Sequence, residues 1–199
     1  MFWYEDEISH LEKDTLVTAY EPETIFYGSS TIRLWASLYD DFAALKPINL
    51  GFGGSTLAAC VWFFDRVMKP TYHPKRLIIY AGDNDLGDGR HPEEVFIFFQ
   101  QLVVRANKRF GDIPCYYISL KPSASRWSML DQFKFTNSLI SAEIAGYHNN
   151  WHFIDTFSAM IDASGYLKSE YFMPDGLHLS ENGYQLWKKI VNDYLNANH

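Results

Sequence analysis

The sequence predicts an α/β domain built on a parallel sheet, and three observations support this fold class. Short apolar segments alternate about five times with longer segments of helical periodicity along the 199-residue chain. The segment 76–82 is apolar from Leu77 to Ala81, as expected of a central strand that is buried on both faces. Hydrophobic residues make up 47% and charged residues 21%, which is typical of a globular protein. We therefore expect a single domain over residues 1–199, with helices on both faces of the sheet.

The first residues predict a helix that precedes the sheet. Four apolar residues recur among charged ones in residues 5–20, which indicates a short amphipathic helix packed on the domain. These four residues are Ile8, Leu11, Leu16 and Val17. We expect residues 1–22 to form an N-terminal helical extension.

Five short apolar runs predict strands, and glycine or proline residues mark several of their ends. The runs cover residues 25–27, 47–52, 76–82, 113–120 and 151–155. Helices are predicted between the strands by apolar residues at helical spacing. They begin at Ser30, at Ser55 or Thr56, at Pro92, near Asp131 and at Ser180 or Glu181. Residues 83–90 are polar and are expected to form a loop.

Charge and cysteine content exclude several classes of protein. The chain has 17 Lys and Arg against 24 Asp and Glu, and its scattered basic residues form no stripe that could follow nucleic-acid phosphates. Cys60 and Cys115 lie far apart, which fits a reducing compartment better than a disulfide framework. The acidic start at residues 5–7 lacks the positive charge of a signal peptide, and no apolar run approaches the roughly 18 residues of a membrane span. We expect a soluble, cytoplasmic protein, and the sequence carries no signal of its oligomeric state.

Two adjacent serines, Ser29 and Ser30, lie at the junction between the first strand and the following helix. A hydroxyl at this junction lies at the carboxyl edge of the sheet, where open parallel sheets bind their ligands. The N–H groups at the start of a helix also favour negative charge there. A serine in this position is equally an ordinary helix N-cap. The junction alone therefore does not distinguish a catalytic serine from a structural one.

Further polar groups follow other strands of the predicted sheet. Asp175 and His178 lie three residues apart before the last helix, so the carboxylate can accept a hydrogen bond from Nδ1 and leave Nε2 facing a nucleophile. Asn84 follows the third strand, and the glycine turn at residues 53–54 follows the second; both can donate hydrogen bonds to an oxyanion. Because such loops share one edge of a parallel sheet, we expect these groups to meet as the complete set for acyl transfer.

Four sequence blocks resemble the SGNH (GDSL-type) hydrolase family, which is named for Ser, Gly, Asn and His in successive blocks. The blocks are Gly28-Ser29-Ser30, Gly54, Gly82-Asp83-Asn84-Asp85 and Asp175-Gly176-Leu177-His178, in this order within residues 24 to 190. Gly54 is chosen over Gly53 because it precedes a polar residue and Thr, as in the family. The resemblance implies a flavodoxin-like three-layer α/β/α sandwich, a parallel sheet of about five strands, and no metal or other cofactor.

The resemblance also implies a role for each matching residue. Ser30 corresponds to the nucleophile, His178 to the base and Asp175 to the acid of a catalytic triad. The backbone N–H groups of Ser30 and Gly54 and the side-chain amide of Asn84 correspond to the oxyanion hole.

One position departs from the family pattern. Ser29 stands where the family usually has Asp, which places a second hydroxyl beside the nucleophile and makes Ser29 a candidate substrate contact. Trp127, Phe172 and Met173 lie in predicted loops near the site and are further candidate contacts that could form a wall.

The resemblance implies a serine-dependent ester hydrolase that acts through an acyl-enzyme on a small-molecule ester. Short predicted loops and the lack of a long apolar lid favour short, acetyl-type acyl groups, as in acylated carbohydrates or small lipids. Two alternatives stay open: a weakly active or inactive ligand-binding module of the same fold, and an acyltransferase that uses the same site.

Three other motifs do not meet the requirements of their class. The turn at residues 51–54 lacks the last glycine of a dinucleotide fingerprint, because position 56 is Thr. Asp88 stands where a calcium loop around residues 83–94 needs glycine. His148 and His152 straddle a helix end and a strand start, so their spacing does not place them on one face for zinc.

Overall fold

The computed structural model describes residues 2–13 and 18–197, and a five-stranded parallel sheet forms its centre. The strands are β1 (Thr24–Gly28), β2 (Pro47–Gly51), β3 (Arg76–Tyr80), β4 (Cys115–Ile118) and β5 (Trp151–Ile154). Their order is β2-β1-β3-β4-β5, and every neighbouring pair is parallel. This is the flavodoxin-like doubly wound order, in which ligands bind where the strand order reverses, between β1 and β3. The prediction of a three-layer α/β/α fold is confirmed.

Helices cover both faces of this sheet. In the described part of the chain they are α1 (Glu5–Glu12), α2 (Ser30–Arg33), α3 (Leu38–Asp41), α4 (Leu57–Val67), α5 (Asp83–Gly87), α6 (Pro92–Phe110), α7 (Leu130–Tyr147) and α8 (Glu181–Ala197). On one side α1 packs on α4, α4 on α6, and α6 on α7. On the other side α8 joins the α2–α3 region, where the rings of Trp187 and Trp35 lie 6.2 Å apart and Tyr184 donates a hydrogen bond to Thr31 O. Aromatic side chains thus fill much of the core.

The structure differs from the sequence prediction after β3. Residues 83–90, predicted as a loop, contain the short helix α5. Gly82, at φ +124°, turns the chain at the end of the strand, and Leu86 is then fully buried in the core. A single apolar residue among polar ones does not produce a helical pattern that can be recognised in the sequence.

The N-terminal helix agrees with the prediction only in part. Helix α1 ends at Glu12, and its apolar residues Ile8 and Leu11 are buried, as an amphipathic helix requires. Leu16 and Val17, which the prediction also placed in this helix, lie outside the described residues.

Gly28 determines how β1 ends. Its φ is +141°, and a Cβ at this position would lie 1.8 Å from Tyr80 O on β3. Only glycine allows the chain to pass this close to the neighbouring strand. Ser29 N–H then donates to Tyr80 O at 2.9 Å, and the chain turns directly into α2. This turn places Ser30 at the carboxyl edge of the sheet.

None of the helices in residues 2–13 and 18–197 combines the length and the apolar composition that crossing a bilayer requires. Cys60 and Cys115 are both free thiols buried in the interior.

Candidate active site

Ser30, His178 and Asp175 form a continuous hydrogen-bonded series at the carboxyl edge of the sheet. Ser30 Oγ lies 3.3 Å from His178 Nε2, although the two residues are 148 positions apart in the sequence. His178 Nδ1 lies 2.7 Å from Asp175 Oδ2. When Nδ1–H donates to this carboxylate, Nε2 presents its lone pair to the serine hydroxyl. The series therefore joins a hydroxyl, an imidazole and a carboxylate in the order that nucleophilic catalysis uses.

The loop before α8 holds Asp175 in place. Its Oδ1 accepts the backbone N–H groups of Leu177 at 2.8 Å and His178 at 3.0 Å. Met173 N–H donates to His178 O at 2.8 Å and closes the loop from the other side. The hydrogen bond from His178, together with these two N–H groups, lowers the pKa of Asp175 to about 2. The carboxylate is therefore charged at neutral pH and can orient the ring beside it.

Ser29 and Ser30, which the sequence alone left as two adjacent hydroxyls, have opposite environments. The side chain of Ser29 is fully buried, and its Oγ has no hydrogen-bond partner in the described part of the chain. Ser29 thus has no surface with which to touch a substrate, which corrects the expectation that it is a substrate contact. The physical reason is the direction of the chain after Gly28, which turns the first hydroxyl inward and the second toward His178.

The glycine turn after β2 presents one N–H group rather than two. Gly53 N–H donates to a carboxylate oxygen of Glu7, so this donor is already occupied. Gly54 has a φ of +63°, and the space on the Cβ side of its backbone is open. Within residues 2–13 and 18–197, no backbone acceptor binds the N–H of Gly54 or of Ser30. These are the two backbone donors that the family resemblance implies, and both remain available for an oxyanion.

The side-chain amide of Asn84 is held at both ends. Its Nδ2 donates to Ser55 O at 3.0 Å, and its Oδ1 accepts a hydrogen bond from Arg126 Nη2 at 2.9 Å. These partners fix which end of the amide is the nitrogen. Because an amide nitrogen carries two hydrogens, one of them is left to donate to an oxyanion. Arg126 also donates through Nη1 to Asp83 O at 2.8 Å.

Arg126 is a site residue that sequence reasoning missed. It lies in the 3₁₀ segment Ala124–Met129, after β4, and belongs to no recognisable motif. Gly87 makes room for it, because a Cβ at position 87 would lie 2.7 Å from the guanidinium carbon. A basic residue in a loop carries no signal of this contact, which depends on two segments that are distant in the sequence.

A buried ion pair lies beneath Asn84. Lys121 Nζ is 3.2 Å from Asp83 Oδ2, and the two side chains are 1% and 5% exposed. Burial alone raises the pKa of Asp83, but the charges of Lys121 and Arg126 outweigh burial and the net shift is downward. The carboxylate is therefore ionised, and it holds the start of α5 against the segment that follows β4.

Asp85 ties the same helix to the glycine turn. Its carboxylate accepts the backbone N–H groups of Leu57 and Ala58 at the start of α4, and Arg90 Nη1 lies 3.2 Å from Oδ1. The side chain is fully buried, and burial raises its pKa to about 6 even though the N–H groups of α4 oppose this shift. Asp85 thus joins the helix that carries Asn84 to the helix that follows the glycine turn.

The three aromatic and Met residues predicted as substrate contacts differ in exposure. Met173 is 48% exposed, and Trp127 is half-buried. Ser125 N–H donates to Gly176 O at 3.1 Å, which places the loop of Trp127 against the loop of His178. Phe172 is only 9% exposed and packs in the core. Phe172 therefore offers the least surface to a substrate, and all three residues remain candidate contacts.

A doubly wound sheet whose carboxyl edge carries a serine, histidine and aspartate in hydrogen-bond contact is the architecture of an α/β/α serine hydrolase. In the described residues, no group of three or more His, Cys, Asp or Glu side chains is placed to hold a metal ion. The chain belongs to the GDSL-like lipase/acylhydrolase family, whose model matches residues 19–186. It is accordingly a carboxylic ester hydrolase by family.

Solved structures share this fold. A Streptococcus pneumoniae protein, provisionally described as a platelet activating factor, has a TM-score of 0.83 and 22% identity over 96% of this chain and 92% of its own. A GDSL-like lipase from Bacteroides thetaiotaomicron has a TM-score of 0.74 and 18% identity over 98% of both chains. An acetyl-xylooligosaccharide esterase from Geobacillus has a TM-score of 0.66 and 15% identity over 84% of this chain and 91% of its own. A search of curated proteins gave no match.

Proposed function

We propose that this protein hydrolyses short-acyl carboxylic esters through an acyl-enzyme formed on Ser30. The observation that carries the proposal is the contact of Ser30 Oγ with His178 Nε2, whose ring is in turn bonded to Asp175. A nucleophile, a base and an orienting carboxylate within hydrogen-bond reach of one another are what nucleophilic catalysis by serine requires.

In the first half-reaction, Ser30 Oγ attacks the ester carbonyl carbon while its proton passes to His178 Nε2. The Asp175 carboxylate stabilises the imidazolium that forms. The negative oxygen of the tetrahedral intermediate accepts hydrogen bonds from the N–H groups of Ser30 and Gly54 and from the free hydrogen of the Asn84 amide. His178 then gives its proton to the departing alkoxide as the carbonyl re-forms, which leaves the acyl group on Ser30.

In the second half-reaction, water attacks the acyl group on Ser30. His178 takes a proton from this water, and the same donors hold the second oxyanion. When the intermediate collapses, Ser30 Oγ leaves and recovers its proton from the imidazolium. The carboxylic acid is released and the free enzyme is restored.

Short connections after the first three strands support short acyl groups. Ser29 alone separates β1 from α2, residues 52–56 separate β2 from α4, and residues 81–82 separate β3 from α5. Loops of this length provide little chain with which to enclose a long acyl tail. The name of the similar Geobacillus esterase refers to acetylated xylooligosaccharides. We therefore propose acetylated carbohydrates first, and small lipids with short acyl groups second, as substrates.

The test is a panel of p-nitrophenyl esters of increasing acyl length, together with acetylated sugars. We expect kcat/KM to be highest for acetyl and to fall as the acyl chain grows, with no turnover by Ser30→Ala. A rate that rises with chain length overturns the assignment to short acyl groups. Wild-type protein that hydrolyses none of these esters overturns the proposed hydrolase.

The same experiment separates the two alternatives left open by the sequence. An added alcohol or sugar acceptor that takes most of the acyl group from Ser30, in competition with water, identifies an acyltransferase. Saturable binding of an acylated sugar without any turnover identifies a ligand-binding module. Free acid as the main product supports the proposed hydrolase.

A further inference from the structure

The N-terminal segment, residues 2–13, contacts the turn that carries the candidate oxyanion donor. The side chain of Tyr4 is 5% exposed, and its Oη donates a hydrogen bond to Gly54 O at 3.0 Å. A carboxylate oxygen of Glu7 accepts the N–H of Gly53. This segment lies before the part of the chain that the family model matches. The contacts are therefore a feature of this chain that the family blocks do not include.

The two contacts lie on either side of the peptide unit that contains the Gly54 N–H, the candidate oxyanion donor. Gly53 N–H belongs to the peptide unit before it, and Gly54 O belongs to the unit after it. The Gly54 N–H lies in the unit between them, so its direction depends on how the two neighbouring units are held. Two adjacent glycines have more conformational freedom than any other pair of residues. Tyr4 and Glu7 therefore restrain a turn that its own sequence leaves free.

The segment is itself firmly attached to the domain. Ile8 is fully buried in the core, as is most of Leu11. On α4, Arg66 pairs with Glu5 at 3.0 Å and with Glu12 at 2.7 Å. The buried core contacts fix α1 on the domain, and the exposed ion pairs with Arg66 add little to this attachment. Because the segment is fixed, the side chains of Tyr4 and Glu7 can hold the turn that they contact.

Glu7 also connects the turn to the helix that begins with Ser30. Arg33 Nε, on α2, lies 3.6 Å from Glu7 Oε2. A Cβ at position 53 would lie 2.7 Å from Glu7 Oε1, so glycine leaves the space that the carboxylate occupies. The carboxylate thus sits between the nucleophile helix and the glycine turn.

We propose that Tyr4 and Glu7 are positioning residues that hold the Gly53–Gly54 turn with the Gly54 N–H directed at the developing oxyanion. This inference rests on the proposed function. A donor that is already in place stabilises the transition state without reorganisation when charge develops. We call the two hydrogen bonds, from Tyr4 to Gly54 O and from Gly53 N–H to Glu7, the brace. The free substrate carries no such charge, so loss of the brace lowers kcat and leaves KM nearly unchanged.

The test compares Tyr4→Phe and Glu7→Ala with the matched control Glu12→Ala. Tyr4→Phe keeps the buried ring and removes only the hydroxyl, and Glu12 lies on the same helix as Glu7 but contacts Arg66 instead of the turn. With p-nitrophenyl acetate, we expect kcat to fall about five- to tenfold in each brace variant, the value of one hydrogen bond, with KM within about twofold. The control keeps wild-type kcat.

Amide hydrogen exchange at Gly53, whose N–H is bonded to Glu7, gives a readout that does not depend on activity. We expect faster exchange in Tyr4→Phe and Glu7→Ala than in the wild type or in Glu12→Ala. Unchanged kcat and unchanged exchange in both brace variants overturn the proposal, as does an equal loss of kcat in the control. Wild-type protein without esterase activity overturns the proposed function instead, and the exchange rates then show separately whether the brace exists.

Discussion

Arg126 Nη2 donates to Asn84 Oδ1 at 2.9 Å, and the two residues are 42 positions apart in the sequence. The contact binds the end of the amide that faces away from an oxyanion. It fixes the orientation of the nitrogen end, and a cationic donor on the oxygen also polarises the amide and strengthens its remaining N–H as a donor. The proposed oxyanion site thus extends beyond the family motifs to a residue in the loop after β4.

The first prediction concerns this contact. Arg126→Met keeps the aliphatic part of the side chain but leaves the Asn84 amide free to rotate. We expect kcat for p-nitrophenyl acetate to fall about tenfold or more, and by no more than the 10²–10³ expected for loss of one oxyanion donor in Asn84→Ala. Added guanidinium ion should restore part of the lost kcat, because it can occupy the vacated position.

The control for Arg126→Met is Arg105→Met, which removes a surface ion pair with Asp65 on the other side of the sheet from α8. Its kcat should match that of the wild type. If Arg126→Met also keeps wild-type kcat, or if guanidinium acts equally on both variants, Arg126 does not orient Asn84.

The second prediction concerns Asp175. Its pKa of about 2 means that it is a carboxylate throughout the neutral range, where it stabilises the imidazolium of His178. Asp175→Asn removes that charge and should lower kcat by about 10²–10⁴ at neutral pH. The exposed Asp155, which binds Ser158 in another loop, provides Asp155→Asn as the control. A value of kcat within twofold of the wild type for Asp175→Asn is inconsistent with the proposed triad.

The third prediction is a pH dependence of stability that arises from Asp85. Its folded-state pKa is about 6, and its ordinary value is 3.8, so in this interval the folded chain binds a proton that the unfolded chain has lost. The unfolding free energy contributed by this group therefore falls as the pH rises from 3.8 to about 6, and is constant above that. Asp85→Asn should remove this fall.

Urea unfolding at a series of pH values measures the effect. The difference in unfolding free energy between the wild type and Asp85→Asn should change across that interval, whereas the exposed control Asp112→Asn should follow the wild type. Parallel curves for the wild type and Asp85→Asn contradict a raised pKa at this position.

The sequence predicts the sheet well because its signals are local. Each of the five apolar runs overlaps an observed strand, since a strand that is buried on both faces is apolar along its whole length. The sequence does not predict the short helix α5, because only Leu86 among its three buried residues is apolar and the other two are Asp83 and Asp85. The predicted strand at residues 76–82 is two residues too long at its end, and the one at residues 113–120 is two residues too long at each end. Apolar loop residues such as Ala81 and Leu120 are also fully buried, so the apolar runs continue past the strands.

The site depends on contacts that no local pattern reveals. Motif spacing predicts Ser30, Asn84, Asp175 and His178 as site residues, because each follows or precedes a recognisable element. The burial of Ser29 depends on the backbone angle of the residue before it, which composition does not encode.

The contacts of the N-terminal segment with the glycine turn are long-range and cannot be predicted from the sequence. Tyr4 lies 50 positions from Gly54 in the sequence, and Glu7 lies 46 positions from Gly53. The occupied N–H of Gly53, which leaves Gly54 as the available donor, is a consequence of the same packing. Such contacts follow from the tertiary fold, and one sequence contains no pattern from which they could be read.

The central claim is that Ser30, and not its neighbour, carries the acyl group. The most direct test is to treat the protein with a serine-directed fluorophosphonate, locate the adduct by peptide mass spectrometry, and repeat the reaction with Ser30→Ala and Ser29→Ala.

The account predicts a single adduct on Ser30, which is lost in Ser30→Ala together with hydrolysis of p-nitrophenyl acetate and is retained in Ser29→Ala. An adduct on Ser29, or full hydrolysis by Ser30→Ala, would contradict it.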